Sequence, residues 1–597
     1  MGAFEPLKRS AILPEPELPD AAALMAEGRK LAKTVAVGPS PFLEANGVAC
    51  EIAYKERRVA EGAVMLHAQI GYRSLEKSRR AYGEIHQRLA AAHYGLDRYG
   101  ICLDWSMGYA PADRPGMPRG TGLILDEPED FARLTSEAPV ASHFGDFVLG
   151  TPAALHNTAA SLAAGSTAIG NLGQYFTFRM PHWNDDVTTT AETLKALALA
   201  AAQPVDILIH SNLDDGFAAV FHDLACSLGA VLLERHIVED LIGGRIGHCY
   251  GHMFSDPLAR LAFQRALARG AEAPGTMVYG NTTAFVADEA ENYASLASYL
   301  LVDIIAQRTL PSGHAINPVP VTEAKRIPEI DEIVDAHLFA NRLVEKAGGL
   351  GRLVDTEVAE ATATRLVEGG ERFKERVLAG LAEAGIDVAN PFEMLLGLRR
   401  VGARRLEELF GPGRADAARP RGRAPVVQAT TFVELQENAA QHLAAIDEAA
   451  RGAIAAADLA ACVATTDVHE YGKILVENVL GGLGVRMIDA GVSTDPDVLA
   501  DKALSGGADF IALSTYNGVA LDYLRRLHGE MEARGLRLPV FIGGKLNQIP
   551  DDSNTSLPVD VSAELEAAGA VACGQIGDML EHLARMAADR DRGRGGA

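Results

Sequence analysis

Cysteine, long apolar runs and positive charge are all scarce in this chain, and each scarcity excludes something. The six cysteines (50, 102, 226, 249, 462 and 573) are scattered through 597 residues, several of them inside apolar strands. That is the usage of buried free thiols in a reducing compartment, not of a disulfide framework. No apolar run is long enough to cross a bilayer, and the opening MGAFEPLKRS lacks the apolar core of a signal peptide. A cytoplasmic location is the expectation. Against 79 Asp and Glu stand 55 Lys and Arg, a formal charge of −24 at pH 7, which repels nucleic acid and anionic membrane at long range. Neither is expected as a partner. A small anion held by a few arginines is not excluded by that charge. No internal repeat is evident.

What is present is an ordinary globular composition, 48% hydrophobic and 22% charged, in a chain long enough for two to four domains. Residues 1–60, rich in proline, read as an N-terminal extension wrapped around the main body or around a neighbouring subunit of a homodimer. From 61 to 330 short apolar runs alternate with helical stretches. The candidate strands are AVMLHAQIGY, GICLDWSMGY, VASHFGDFVLG, STAIGNLGQY, DILIHSNL, AVLLERHIV, GTMVYGNTT and HAINPVPV. Eight such strands alternating with helices predict an α/β fold of the (β/α)8 TIM-barrel type. Residues 331–428 read as a helical region that ends in GPGRADAARPRGRAPVVQ. The Pro, Gly, Arg and Ala content of that stretch predicts a solvated interdomain linker. Residues 429–597 form a last, Rossmann/flavodoxin-like domain.

In a barrel of this kind, chemistry belongs at the carboxyl ends of the strands. Arg73, Arg179 and Arg235 fall near such ends, and the guanidinium fork suits a substrate carboxylate. His210 ends the strand with the clearest apolar run and is a candidate for contact with substrate or cofactor. Glu239, just after AVLLERHIV, is a candidate general base, with helix capping as its plainer alternative. His248 and His252 are spaced as a helical zinc pair would be, but their glycine-rich setting speaks against a helix.

The last domain carries the most specific pattern. LAACVATTDVHEYG (Leu459 to Gly472) reads as a buried strand, a polar loop and the start of a helix. It places His469 at the carboxyl edge of a sheet, where open α/β sheets bind ligands. A metal-ligating imidazole needs a carboxylate to fix its tautomer, and Asp467 lies two residues back. The strand ADFIALS then ends at Ser514, and LPVFIGG closes on Gly543 and Gly544.

These residues resemble the cobalamin-binding domain of base-off/His-on mutases and methyltransferases, written Asp-x-His-x-x-Gly, Ser-x-Leu and Gly-Gly. The resemblance covers about residues 455–585, in the right order. It implies that His469 is the lower axial ligand of cobalt and Asp467 its supporting carboxylate. Gly472, Ser514, Gly543 and Gly544 would line the channel for the displaced nucleotide tail. One position departs from the pattern: Ser514-Thr515-Tyr516 ends in a ring where leucine is usual.

A barrel joined to such a domain resembles the coenzyme B12-dependent carbon-skeleton mutases. No stretch resembles the segment that threads an acyl-CoA, so the resemblance implies a small free acid substrate, as in glutamate mutase or 2-methyleneglutarate mutase. It implies adenosylcobalamin as cofactor, an isomerase activity and radical chemistry. A corrinoid methyltransferase is the main rival, because Lys473 directly follows Gly472 as it does in methyltransferases. Methyltransferase modules, however, carry a four-helix cap before the Rossmann-like domain. Here about thirty residues precede it, enough for one or two helices. An acyl-CoA mutase is a further alternative.

Overall fold

The computed structural model describes every residue except 1–5, 118, 121, 215–220, 283, 284, 287, 324, 352, 353, 468, 517, 549–558, 596 and 597. The described residues divide into two compact units. One takes in the chain to Phe178 and from Asn184 to Thr430. The other takes in Arg179–Trp183 and the chain from Thr431 onward.

Among the described residues the first unit contains eight short strands: β1 (His67–Ile70), β2 (Arg98–Ile101), β3 (Ala141–Phe144), β4 (Ala168–Ile169), β5 (Leu208–Asn212), β6 (Arg245–Cys249), β7 (Met277–Val278) and β8 (Ala315–Ile316). β1 to β6 pair in sequence order as one parallel sheet, and β7 pairs parallel with β8. Parallel bridges also join Tyr250 to Val278 and Leu66 to Ile316. The strands are buried and carry Ile, Leu and Val beside unusually many polar groups, among them His67, Arg98, His143 and His210.

The amino ends of these strands are sealed by the N-terminal extension. Helix Glu51–Ala60 puts Lys55 Nζ 2.9 Å from Thr276 O and 2.8 Å from Gly313 O, while Glu51 Oε1 lies 2.8 Å from Arg98 Nε. All three side chains are fully buried. Burial pushes the Lys55 ammonium down to about 8, against the pull of Glu51. These contacts join the extension to the amino ends of the strands.

Two expectations need correcting. AVLLERHIV is not a strand. It belongs to helix Leu224–Arg235 and the π-helical turn His236–Ile242 that continues it. The strand at this point in the order is β6, RIGHC. The helix misreads because both its faces are buried, so its apolar residues show no helical stripe. On one side Glu234 meets Ser211 of β5 and His248 of β6, at 2.7 and 2.9 Å. On the other, a Cβ on Gly229 would sit 2.5 Å from the Phe373 ring of helix Glu357–Glu383.

The second correction concerns 411–428, which is no loose tether. Asp223 accepts the N–H groups of Val426 and Val427 at 2.8 and 3.1 Å. Arg423 donates to the carbonyls of Glu408, Leu409 and Gly413. With helices Ile330–Leu350, Glu357–Glu383 and Pro391–Phe410, the stretch belongs to the first unit. Arg423 donates to helix-end carbonyls, a role composition does not reveal.

In the second unit β9 (Ala460–Thr465), β10 (Arg486–Gly491), β11 (Phe510–Thr515), β12 (Val540–Gly544) and, after a small antiparallel pair β13 (Asn547–Gln548) and β14 (Val559–Asp560), β15 (Val571–Cys573) succeed one another. The five-stranded sheet is parallel in the order β10-β9-β11-β12-β15. That is a Rossmann-like, doubly wound sheet whose strand order reverses between β9 and β11, the crevice where such sheets bind ligands. Cys462, Ile511, Leu513, Val540 and Ile542 form its core with Leu499 and Leu524 from the flanking helices.

Candidate functional site

At the carboxyl edge of the second sheet, register brings the separate sequence motifs together. β9 and β11 pair with Thr465 opposite Ser514, and β11 and β12 pair with Ser514 opposite Gly543 and Thr515 opposite Gly544. Asp467 follows β9 and is 1% exposed. Its Oδ1 accepts the backbone N–H of His469 at 3.0 Å and lies 2.6 Å from His469 Nδ1. Its Oδ2 accepts the Tyr516 N–H at 2.8 Å and the Thr466 hydroxyl at 3.2 Å. Burial by itself would raise the Asp467 carboxyl. The facing His469 and these hydrogen bonds outweigh it and hold the group below the usual carboxylate range.

A carboxylate at Nδ1 makes that nitrogen the proton carrier and puts the imidazole lone pair on Nε2, the form a metal ligand requires. The His469 side chain is 29% exposed, so a bulky ligand can reach it. A Tyr516 ring stacks on the imidazole, centroids 4.2 Å apart at 29°, and Lys545 Nζ lies 4.5 Å from the centroid of that ring.

The glycines at this edge let neighbouring backbone and side chains approach closely. A Cβ on Gly472, at the start of helix Tyr471–Gly482, would lie 2.4 Å from Ser514 Oγ. Gly544 has φ +103° and a Cβ there would lie 2.2 Å from Thr515 O, while one on Gly543 would crowd Cys573 O at 3.2 Å. The edge is backbone, kept bare where β11 and β12 end. Gly544→Ala is therefore expected to destabilise the second unit by about 1–3 kcal/mol, the cost of a side chain in a left-handed conformation with a clash, and to reduce cobalamin uptake. Chemical unfolding of the full chain with unchanged midpoint would overturn that account. Lys473 is held inward by Glu477 at 2.6 Å and Asp489 at 3.0 Å, and is buried. These two carboxylates keep its ammonium charged despite burial.

Residues 458–572 match the family described as the B12 binding domain. That match supports a cobalamin cofactor and a cobalamin-dependent enzyme family, in which such domains occur in mutases and methyltransferases. It spans β9 to β15 up to Ala572 and includes Asp467, His469, Gly472, Ser514, Gly543 and Gly544.

In the first unit the anticipated residues part ways. Arg73 is half-buried in the loop that follows β1. His210 lies within β5, buried, with Nδ1 2.9 Å from Thr276 Oγ1 and its ring 4.3 Å from that of His143. Burial, with Arg98 nearby, drives its pKa well below the usual histidine value, so it is neutral. Arg235 and Glu239 do not stand at a strand end. Arg235 closes helix Leu224–Arg235 and donates to the carbonyls of Leu267 and Arg269 at 2.8 and 3.4 Å. Glu239 sits in the π-helical turn that precedes β6, on the amino side of the strand, where burial pushes it up to about 7. Arg179 is not a first-unit residue: it belongs to the second unit, where its Nη2 lies 3.1 Å from Asp495 Oδ2.

His248 and His252 form no zinc pair. His248 lies on β6 against Glu234, and the His252 ring stacks on Tyr279 at 4.4 Å. Among the described residues no cluster of His, Cys, Asp or Glu is arranged to hold a metal ion by itself. Two residues at the His469 site were not foreseen. Tyr516 was visible only as a departure from a pattern, and Lys545 carried no sequence signal.

Proposed function

We propose that the chain is an adenosylcobalamin-dependent mutase that rearranges the carbon skeleton of a small free carboxylic or amino acid. The observation that carries this over a methyltransferase is the short approach to β9. Only helices Thr430–Ala445 and Glu448–Ala456 stand between 411–428 and the sheet, where a methyltransferase module has four. The parallel pairings from β1 to β8, with bridges from Tyr250 to Val278 and Leu66 to Ile316, support reading the first unit as a (β/α)8 barrel. Its polar carboxyl ends suit a water-excluding substrate cavity.

Adenosylcobalamin supplies radical chemistry through its cobalt–carbon bond. The protein's part is ligation and orientation. His469 presents Nε2 to cobalt, Asp467 holds the imidazole proton on Nδ1, and the bare edge at Gly472, Ser514, Gly543 and Gly544 receives the nucleotide tail. In the first unit, Arg73 takes a substrate carboxylate and the neutral His210 donates or accepts a hydrogen bond. Arg235 and Glu239 are committed to the helical layer and leave the substrate set. Arg179 is committed to Asp495.

Anaerobic EPR of the holoenzyme with candidate acids tests the class: a cob(II)alamin–organic radical pair is expected. Turnover confined to methyl transfer, or to a CoA thioester, would overturn it. Within the class, Arg73→Ala is expected to retain cobalamin and to lose about 2–5 kcal/mol of transition-state binding, the penalty for an unpaired carboxylate in a dry site. That is about thirty- to several-thousand-fold in kcat/KM. Undiminished turnover would remove Arg73 from the site.

A further inference from the structure

Tyr516 occupies the position where the cobalamin-binding pattern has leucine, and it touches both members of the Asp467–His469 pair. Its backbone N–H binds Asp467 Oδ2 at 2.8 Å. Its ring lies against the imidazole with centroids 4.2 Å apart at 29°. The Asp467–Nδ1 hydrogen bond at 2.6 Å fixes the tautomer, but a single hydrogen bond leaves rotation of the imidazole about its own axis soft. A flat ring on the imidazole face removes that freedom; a leucine has no face to offer.

The ring is itself held. Lys545 Nζ lies 4.5 Å from its centroid, within range of a cation–π contact. The Lys545 backbone N–H donates to Thr515 O at 2.9 Å, and the Thr515–Gly544 register places Lys545 at the end of β12 next to Tyr516. The Tyr516 and Lys545 side of the stack is therefore anchored where β11 and β12 end.

We infer that Tyr516 is a positioning residue for the axial histidine: its stacked ring sets the plane in which His469 presents Nε2, and Lys545 keeps the ring in place. The inference rests on His469 being the cobalt ligand. Groups that orient a metal-bound histidine are worth about 10–100-fold in affinity, and that is the scale expected here.

The test uses the full chain reconstituted anaerobically with cobalamin. It compares wild type with Tyr516→Phe, Tyr516→Leu and Lys545→Met, each first shown to melt like wild type. Two quantities are read: the dissociation constant by equilibrium dialysis, and the axial nitrogen superhyperfine splitting of cob(II)alamin in EPR. Tyr516→Phe keeps the ring and is expected to match wild type in both. Tyr516→Leu is expected to bind about tenfold or more weakly, with the nitrogen splitting broadened or mixed with a signal lacking it. Lys545→Met is expected to move both quantities in the same direction by less. Tyr516→Leu indistinguishable from wild type would overturn the inference, as would Tyr516→Phe losing as much as Tyr516→Leu, since the hydroxyl and not the face would then matter. Wild type that binds no cobalamin, or shows no nitrogen splitting, would instead defeat the axial-ligand reading and with it this one.

Discussion

His469→Ala is expected to abolish the axial nitrogen superhyperfine splitting in the cob(II)alamin EPR spectrum. Of the described residues at the β9–β11 crevice, His469 is the one whose side-chain lone pair is prepared by a buried carboxylate, through the 2.6 Å contact of Asp467 with Nδ1. The variant should stay folded. Asp467 still accepts the N–H of residue 469, the Tyr516 N–H and the Thr466 hydroxyl, so the buried carboxylate keeps three donors. Loss of ligation without loss of fold is thus the predicted signature, read by EPR and by circular dichroism on one sample. Asp467→Ala should behave differently. It strands two backbone donors, at about 1–3 kcal/mol each, and weakens cobalamin binding about 10–100-fold through the freed imidazole. A His469→Ala protein that keeps the wild-type nitrogen splitting would eliminate His469 as the ligand.

Asp303→Ala is expected to destabilise the first unit by about 3–5 kcal/mol. Asp303 and Arg260 are both buried, at 0% and 1% exposure. The carboxylate takes Arg260 Nε and Nη2 at 2.7 Å each, and Gln264 Nε2 at 2.5 Å. Arg260 in turn donates to Gly251 O at 3.0 Å and to Tyr279 O at 2.6 Å, the segments just after β6 and β7. The pair therefore ties helices Pro257–Ala268 and Glu289–Thr309 to the carboxyl ends of two strands. Removing the carboxylate leaves a guanidinium buried with carbonyl partners alone. Replacing both partners, as Arg260→Met with Asp303→Leu, should recover much of the loss, because no buried charge then remains. Urea denaturation followed by circular dichroism reads both. A loss below about 1 kcal/mol for Asp303→Ala, the scale of an exposed pair, would show that solvent reaches the site.

How far these features were legible depended on how local their cause was. Asp467, His469 and Gly472 lie within six residues, where a strand of small buried residues passes through a loop into an amphipathic helix, so their placement followed from short-range pattern. The alternation of the first unit was legible as well, and seven of the eight candidate strands overlap β1 to β5, β7 and β8. AVLLERHIV failed because its helix is buried on both sides. Whether an apolar run is a central strand or a central helix is set by what lies on each face, and here that is Ser211 and His248 on one side and Phe373 on the other. Arg235 and Glu239 were carried into the candidate site by that misreading.

By itself, then, the sequence determined what depends on neighbours along the chain. It determined a parallel α/β architecture, a last domain with a histidine and its carboxylate at a strand end, and the glycines that leave that edge bare. The tertiary structure decided what depends on approach across it. It gave Arg235, Arg260 and Arg423 to buried carbonyls and carboxylates, pinned 411–428 to the first unit, and laid Tyr516 over the imidazole with Lys545 against the tyrosine ring. An arginine looks the same in sequence whether it awaits a substrate or caps a helix. Only the partners that folding brings within 3 Å separate the two, because a buried guanidinium must be paired wherever it lies.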